Sequence, residues 1–348
     1  MHIALLGPIA PPAGGVQSHM ASLRDRLIDH GHRVSMVAIT RSERVAQPDV
    51  YYPGGPLALL KTVRALKPDI VHLHVGGDLT TRVAAMSAAL RVSSGARIIL
   101  TFHSGGFPAS PAGQRASATS PVGVLLRGVD YFIAVNAEIA ALFRRYGIRD
   151  EQIDVIAPHA RVNPKSIAFT LPDDIEEFYS AHAPVLIAVG MLEPEYSLEL
   201  QIEAIATLRQ SLPRIGLLLV GSGSLVNALE RQILDRGLES HVRLHGNLEH
   251  SLTLRAIQRA DVLLRTTKFD GDAVSVREAL QLGTAVVASR TAFRPEGVTL
   301  LESLNADSIA RACERALEAR ELTEAVEVDD ELDRVLARYE ASARQRQA

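Results

Sequence analysis

Along the chain, short unbroken apolar runs alternate with stretches in which apolar residues recur every three or four positions. In the first half the runs are His2–Leu6, Arg33–Ala38, Ile70–His74, Arg97–Phe102, Tyr131–Val135 and Ile153–Ile156. They are rich in Val, Ile and Leu and lack the in–out alternation of a sheet with one wet face. They therefore predict parallel strands covered on both faces. Helical patterns such as Gln17–Asp29 and Ala137–Tyr146 fall between them. A second series follows at Val185–Val189, Gly216–Val220, Val242–His245, Val262–Arg265 and Ala285–Ala288, with helical patterns at Leu198–Arg209, Leu225–Arg236 and Leu252–Ala260. Strand–helix alternation repeated twice predicts an α/β chain of two Rossmann-like, doubly wound domains. The expected divisions are 1–165, a connector at 166–183, 184–327, and a final charged helix at 328–348 with Leu332, Leu336 and Tyr339 on one face. Gly105–Ser120, rich in Gly, Pro, Ser and Ala, reads as one long loop.

Composition narrows the picture. A length of 348 residues suits two domains, and 47% hydrophobic with 22% charged residues is an ordinary globular balance. A formal net charge of -3, no Trp and 4% aromatic residues argue against nucleic acid as a partner. The single cysteine, Cys313, excludes an internal disulfide and reads as core filler on a helix in a reducing compartment. The start, MHIALLGPIAPPAGG, lacks a basic leader and is broken by Gly7 and Pro8, so it reads as a first strand rather than an export signal. No apolar run approaches the ~18 residues that span a bilayer. The expected location is the cytoplasm, with peripheral membrane contact left open. Arg24, Arg26, Arg144 and Arg145 read as solvated helix faces in preference to a membrane patch.

Candidate chemistry gathers at the ends of the expected strands. Gly14 and Gly15 precede a helix whose first amides lack partners, which suits an anion as well as a plain turn. The stretch is not GxGxxG, so a dinucleotide site gains no support. His72 and His74 share one side of a strand, and no third metal ligand stands at a diagnostic spacing. Packed or hydrogen-bonded histidines are the simpler reading. His103 opens HSGGFP at a strand end, where open α/β sheets bind ligands. Gly221-Ser222-Gly223 and His245-Gly246-Asn247 form two more glycine turns on the edge of the second sheet. In FDGDAVSVREAL, Asp270-Gly271-Asp272 precede a helix starting near Ala273, and Glu278 sits within it among apolar neighbours. Two acids with free helix amides between them suit a ligand bearing diols and a phosphate. The alternative pairs Glu278 with Arg277 or Arg294 on a surface helix.

Taken in order, PAGGVQSHM, HGHRV, PDIVHLHV, TFHSGGFP, VDYFIAVN, VLIAVGMLEP, LLLVGSG, VRLHGNL, ADVLLRTT, DGDAVSVREAL and VLARYEAS resemble the family 4 glycosyltransferases, retaining enzymes of the GT-B fold, over nearly the whole chain. The resemblance implies two Rossmann-like domains facing a central cleft, with a final helix crossing back to the first domain. It implies a nucleotide-sugar donor and a saccharide, lipid-linked or small-molecule acceptor. Glu278 would accept from ribose hydroxyls, Asp270 from hydroxyls of the sugar, and the backbone near Leu248 would read the base. Gly15 and amides near Gly271, Ala273 and Val274 would meet sugar or diphosphate, and His103 the sugar from the acceptor side. No essential metal or other cofactor is implied. The family's Arg and Lys after Val185–Val189 are replaced by Met191 and Tyr196, with Arg265, Lys268 or Arg294 as substitute cations. Asp270 also stands where the family has Glu. These departures keep open a non-catalytic nucleotide-sugar binder or supporting subunit. An epimerase is disfavoured, because no dense set of acids and histidines marks that chemistry.

Overall fold

A computed structural model describes the protein except for residues 10–13, 41–43, 159–161, 163–166, 320–330 and 348. The chain divides into two units: Met1–Ala160 with Asp270–Asp272 and Asp330–Ala348, and Arg161–Phe269 with Ala273–Asp329.

The first unit is built on seven parallel strands: β1 (His2–Gly7), β2 (Arg33–Ala38), β3 (Val50–Tyr51), β4 (Ile70–Val75), β5 (Arg97–Phe102), β6 (Tyr131–Ala134) and β7 (Ile153–Val155), in the order β3-β2-β1-β4-β5-β6-β7. Ile3, Ala4, Leu5 and Leu6 of β1 are fully buried because helices cover both faces of the sheet. That is why the run is continuously apolar. The helices are bounded by local chemistry. Thr80 caps Thr81–Ser94 through Val83 N at 3.4 Å, and Gly95 ends it at φ 66°. Asn136 caps Ala137–Arg145 through Ile139 N at 2.9 Å. Gly105–Ser120 is more ordered than its composition predicts. It holds a 3-10 turn at Phe107–Ala109 and a helical turn at Pro111–Gln114, because Ser110 accepts from Gly113 N at 3.1 Å and Pro111 presets the first turn.

The C-terminal helix Glu331–Gln347 belongs to this unit and buries Leu332, Val335, Leu336 and Tyr339. Arg338 grips Asp154 with two bonds of 2.5 and 2.6 Å. The Tyr339 hydroxyl pairs with His72 Nδ1, and Thr101 Oγ1 lies 2.6 Å from His72 Nε2. His72 is therefore the hydrogen-bonded core histidine of the simpler reading.

The second unit has six parallel strands: β8 (Val185–Val189), β9 (Gly216–Val220), β10 (Val242–Gly246), β11 (Val262–Arg265), β12 (Ala285–Ala288) and β13 (Val298–Leu300), ordered β10-β9-β8-β11-β12-β13. The segment expected to connect the halves carries the helix Asp173–Ala181. Ile175, Phe178 and Tyr179 from it enter one core layer of this sheet. Cys313 is buried in the opposite layer on helix Ala306–Ala319, and burial pushes its thiol up to about 12.

In both sheets the strand order reverses once, between β1 and β4 and between β8 and β11. Ligands of doubly wound sheets bind outside the carboxyl ends of strands at such a switch point. Among the described residues no helix is long and apolar enough to cross a membrane.

Candidate donor and sugar sites

The switch point of the second unit is built by β8 and β11. Gly190 and Met191 follow β8, Arg265 ends β11, and Tyr196 lies on the turn Pro194–Tyr196. The Arg265 guanidinium lies 4.9 Å from the centre of the Tyr196 ring and donates to Val189 O at 3.2 Å. A Cβ on Gly190 would meet the Tyr196 ring at 2.6 Å, so glycine is needed for this approach. The strand-end cation thus stands beside the two positions where the resemblance implies Arg and Lys. Arg294 is close by, bonded to Ser289 O and to Thr267 Oγ1 at 3.1 Å each. Lys268 is exposed, and its backbone amide donates to Glu195 O at 2.9 Å.

The glycine turns of this edge are laced together. Gly221 N donates to Gly246 O at 2.8 Å, and Leu192 N to Ser222 O at 3.0 Å. Asn247 Nδ2 donates to Ser222 Oγ at 3.0 Å. Leu248 follows, 8% exposed, with its side chain in the core beneath the edge.

Glu278 lies in the second turn of helix Val274–Gln281, and its side chain is 10% exposed. Val276, Ala279 and Leu280 bury the same helix, which carries the carboxylate inward. Its partner is neither Arg277 nor Arg294 but His250, whose Nε2 lies 2.7 Å from Glu278 Oε1. His250 opens helix His250–Arg259, with Glu249 between it and Leu248. Burial pulls the His250 imidazole down, but the hydrogen bond and charge of Glu278, aided by Glu249, outweigh it and leave the net shift upward. A carboxylate has about four lone-pair positions. His250 engages one oxygen and leaves acceptor capacity for a diol. Ala273, 5% exposed, precedes the helix in extended conformation, and no side chain caps the first turn that contains Val274.

In the first unit, Gly15 is exposed at the start of helix Gly15–Asp29, after extended Gly14. The helix carries His19 inward. His74 is the last residue but one of β4, and His103 follows β5 with its amide donating to Val75 O at 2.8 Å. His74 Nδ1 and His103 Nε2 are 3.2 Å apart, and His19 lies 5.4 Å from each ring, centre to centre. Burial, with neighbouring histidines adding to it, drives His72, His74 and His103 well below the ordinary imidazole range. At neutral pH these three are uncharged donors and acceptors.

His19, His74 and His103 bring one ring nitrogen each within 4.8 Å of the others, the group of metal-binding type found among the described residues. Sequence spacing hid it, because the partners of His74 come from a helix and a loop rather than from the HxH strand. The fit to a metal is incomplete. Two nitrogens are already at hydrogen-bond distance, and His74 Nε2 is buried without the outer partner that orients a metal-bound imidazole.

The structure also brings His103 and Asp270 into one neighbourhood. Asn136 Nδ2 donates to Gly271 O at 2.6 Å. A Cβ on Gly105 would fall 2.1 Å from the Asp270 backbone, and one on Gly271 2.3 Å from His103 O. Glycine at 105 and 271 is what lets the HSGG turn and the DGD turn touch.

Residues 13–159 match the family model described as Glycosyltransferase Family 4, and residues 175–328 the model described as Glycosyl transferases group 1. The chain is similar to a phosphatidyl-myo-inositol mannosyltransferase of Mycobacterium tuberculosis, 25% identical across 83% of this chain and 78% of the relative. The protein of that name from Mycolicibacterium smegmatis is 26% identical across 79% and 72%. Among solved structures, Anabaena HepE in complex with UDP-glucose superposes with a TM-score of 0.69 at 17% identity, covering 93% of this chain and 92% of that one. A glycosyltransferase from Rickettsia africae superposes with a TM-score of 0.68 at 16% identity, covering 98% of each.

Proposed function

Because the chain belongs to the family 4 glycosyltransferases, sugar-nucleotide-dependent enzymes of the GT-B fold, we propose that it transfers a hexose or N-acetylhexosamine from a nucleoside-diphosphate sugar with retention of configuration. The acceptor is a saccharide, most simply a lipid-linked one. The observation that carries this reading is the buried Glu278 carboxylate, fixed on one oxygen by His250 at the laced edge of the second sheet.

Each residue then has a role. Glu278 accepts from the ribose hydroxyls, and the backbone at Leu248 meets the base. The amides of Ala273 and Val274 and the exposed backbone of Gly15 meet the diphosphate or sugar. Asp270 and His103, held together by the Gly105–Gly271 approach, bind hydroxyls of the sugar. His103 does so as a neutral imidazole, its ring steadied by His74. Arg265, with Lys268, balances charge on the leaving diphosphate in place of the cations absent at Met191 and Tyr196. The C1–O bond to the diphosphate breaks as the acceptor oxygen bonds to C1 on the same face. The departing phosphate oxygen takes the acceptor's proton. No metal is required for that step.

The test is a screen of nucleotide sugars by thermal shift, followed by turnover of each hit with and without lipid-linked acceptors. A sugar transferred with its anomeric configuration kept supports the proposal. Binding without transfer to any acceptor would favour the non-catalytic alternative.

A further inference from the structure

A cavity of about 650 Å³ opens in the first unit, on the sheet face opposite His72 and His74. Ala38 and Thr40 at the end of β2, Pro53–Pro56 after β3, and the helices Pro56–Leu66 and Thr81–Ser94 form its walls. It lies at the carboxyl edge of the sheet, the edge that also carries His103. Leu73, on its floor, is the residue before His74.

The lining is of two kinds. Ile39, Leu59, Leu73, Val83 and Met86 are apolar, while Arg44 and Arg82 are the charged residues among the described lining. Both arginines are exposed, and neither has a hydrogen bond or ion pair among the described residues. Among the described residues, no acid lines the cavity. Nearby, Ile39 is 37% and Leu57 76% exposed, so the apolar surface continues out of the mouth. The volume is that of a small-molecule site. Two unmatched guanidinium forks beside an apolar wall complement an anion joined to a hydrocarbon, and the fork geometry suits phosphate.

We propose that this cavity seats an amphiphilic acceptor, its phosphate on Arg44 and Arg82 and its hydrocarbon on Leu59, Val83 and Met86. This rests on the transferase reading and narrows the acceptor to a lipid-linked phosphate. Placed there, the acceptor's polar end lies along the strand edge that carries His103.

The test measures calorimetric binding of decyl phosphate, inorganic phosphate and decanol to the wild type, to Arg44→Gln/Arg82→Gln and to Met86→Glu. Nucleoside-diphosphate binding is measured on the same samples. Decyl phosphate should bind at least about tenfold tighter than either fragment, and each variant should weaken it by about tenfold or more with nucleotide affinity unchanged. The substituted arginines are exposed, so melting curves should superpose. Inorganic phosphate binding as tightly as decyl phosphate would reduce the cavity to a simple anion site and overturn the proposal. So would decyl phosphate binding that ignores all three substitutions. A fourth arm uses phosphatidylcholine vesicles with and without phosphatidylglycerol. Arginine-dependent binding to anionic vesicles with none to monomeric decyl phosphate would mark a membrane-facing patch instead and also overturn it. If nucleotide fails to bind the wild type while decyl phosphate binds as described, the transferase reading falls and the amphiphile site stands.

Discussion

Glu278→Gln removes the charge of one carboxylate while keeping its volume. Hydrogen bonds to a charged group contribute about 1.5–3 kcal/mol. If the ribose hydroxyls donate to Glu278, the amide should weaken nucleoside-diphosphate binding by that amount, roughly 10- to 150-fold in Kd. The fold should suffer less. His250 is 38% exposed, so its pairing with Glu278 contributes about 1 kcal/mol or less. For a chain of 348 residues that is a drop of no more than about 1–2 °C in melting temperature. Calorimetry with intact nucleoside diphosphate and its 2′,3′-dideoxy analogue separates the two effects. The substitution should hurt binding of the first and leave the second unchanged, because the analogue has no hydroxyl to lose. A Glu278→Gln protein that binds the intact nucleotide as tightly as wild type would refute the reasoning.

Tyr339→Phe should destabilise the first unit by about 1–3 kcal/mol, since it strips a partner from fully buried His72; denaturant melts read this directly. The His250–Glu278 pair should make stability depend on pH. The folded imidazole titrates above its ordinary 6.5, so the pair contributes fully below that value and fades as pH rises through the higher folded one. The stability gap between wild type and His250→Gln should therefore close on going from acid to alkaline pH, and a gap that widens would contradict the assignment. Gly105→Ala puts a methyl 2.1 Å from the Asp270 backbone. It should cost about 1–3 kcal/mol of overpacking and reduce transfer more than nucleotide binding, as seen by comparing turnover with calorimetry.

The sequence makes the strands legible because sheets covered on both faces demand unbroken apolar runs, as in Ile3–Leu6 and Leu217–Val220. It hides β3 and β13, which are only two and three residues long and half-buried. The face of the last helix can be read from Leu332, Leu336 and Tyr339, although Val335 shares it. The burial of Glu278 is foretold by its apolar neighbours, but its partner is not. His250 lies 28 positions away on another helix, and no local period links them. The same holds for His74 and His103, 29 positions apart and joined only by the parallel register of β4 and β5. Helical propensity within Gly105–Ser120 is masked by Gly and Pro content, because a serine cap and a first-turn proline act over too few residues to set a pattern.

The proposed transfer depends on a nucleotide whose pentose is held by a carboxylate on the second sheet's helix. A crystal structure of the protein with a nucleoside diphosphate tests that most directly. Both ribose hydroxyls within hydrogen-bond distance of Glu278 would bear it out; a nucleotide bound elsewhere, with that carboxylate engaged by His250 alone, would contradict it.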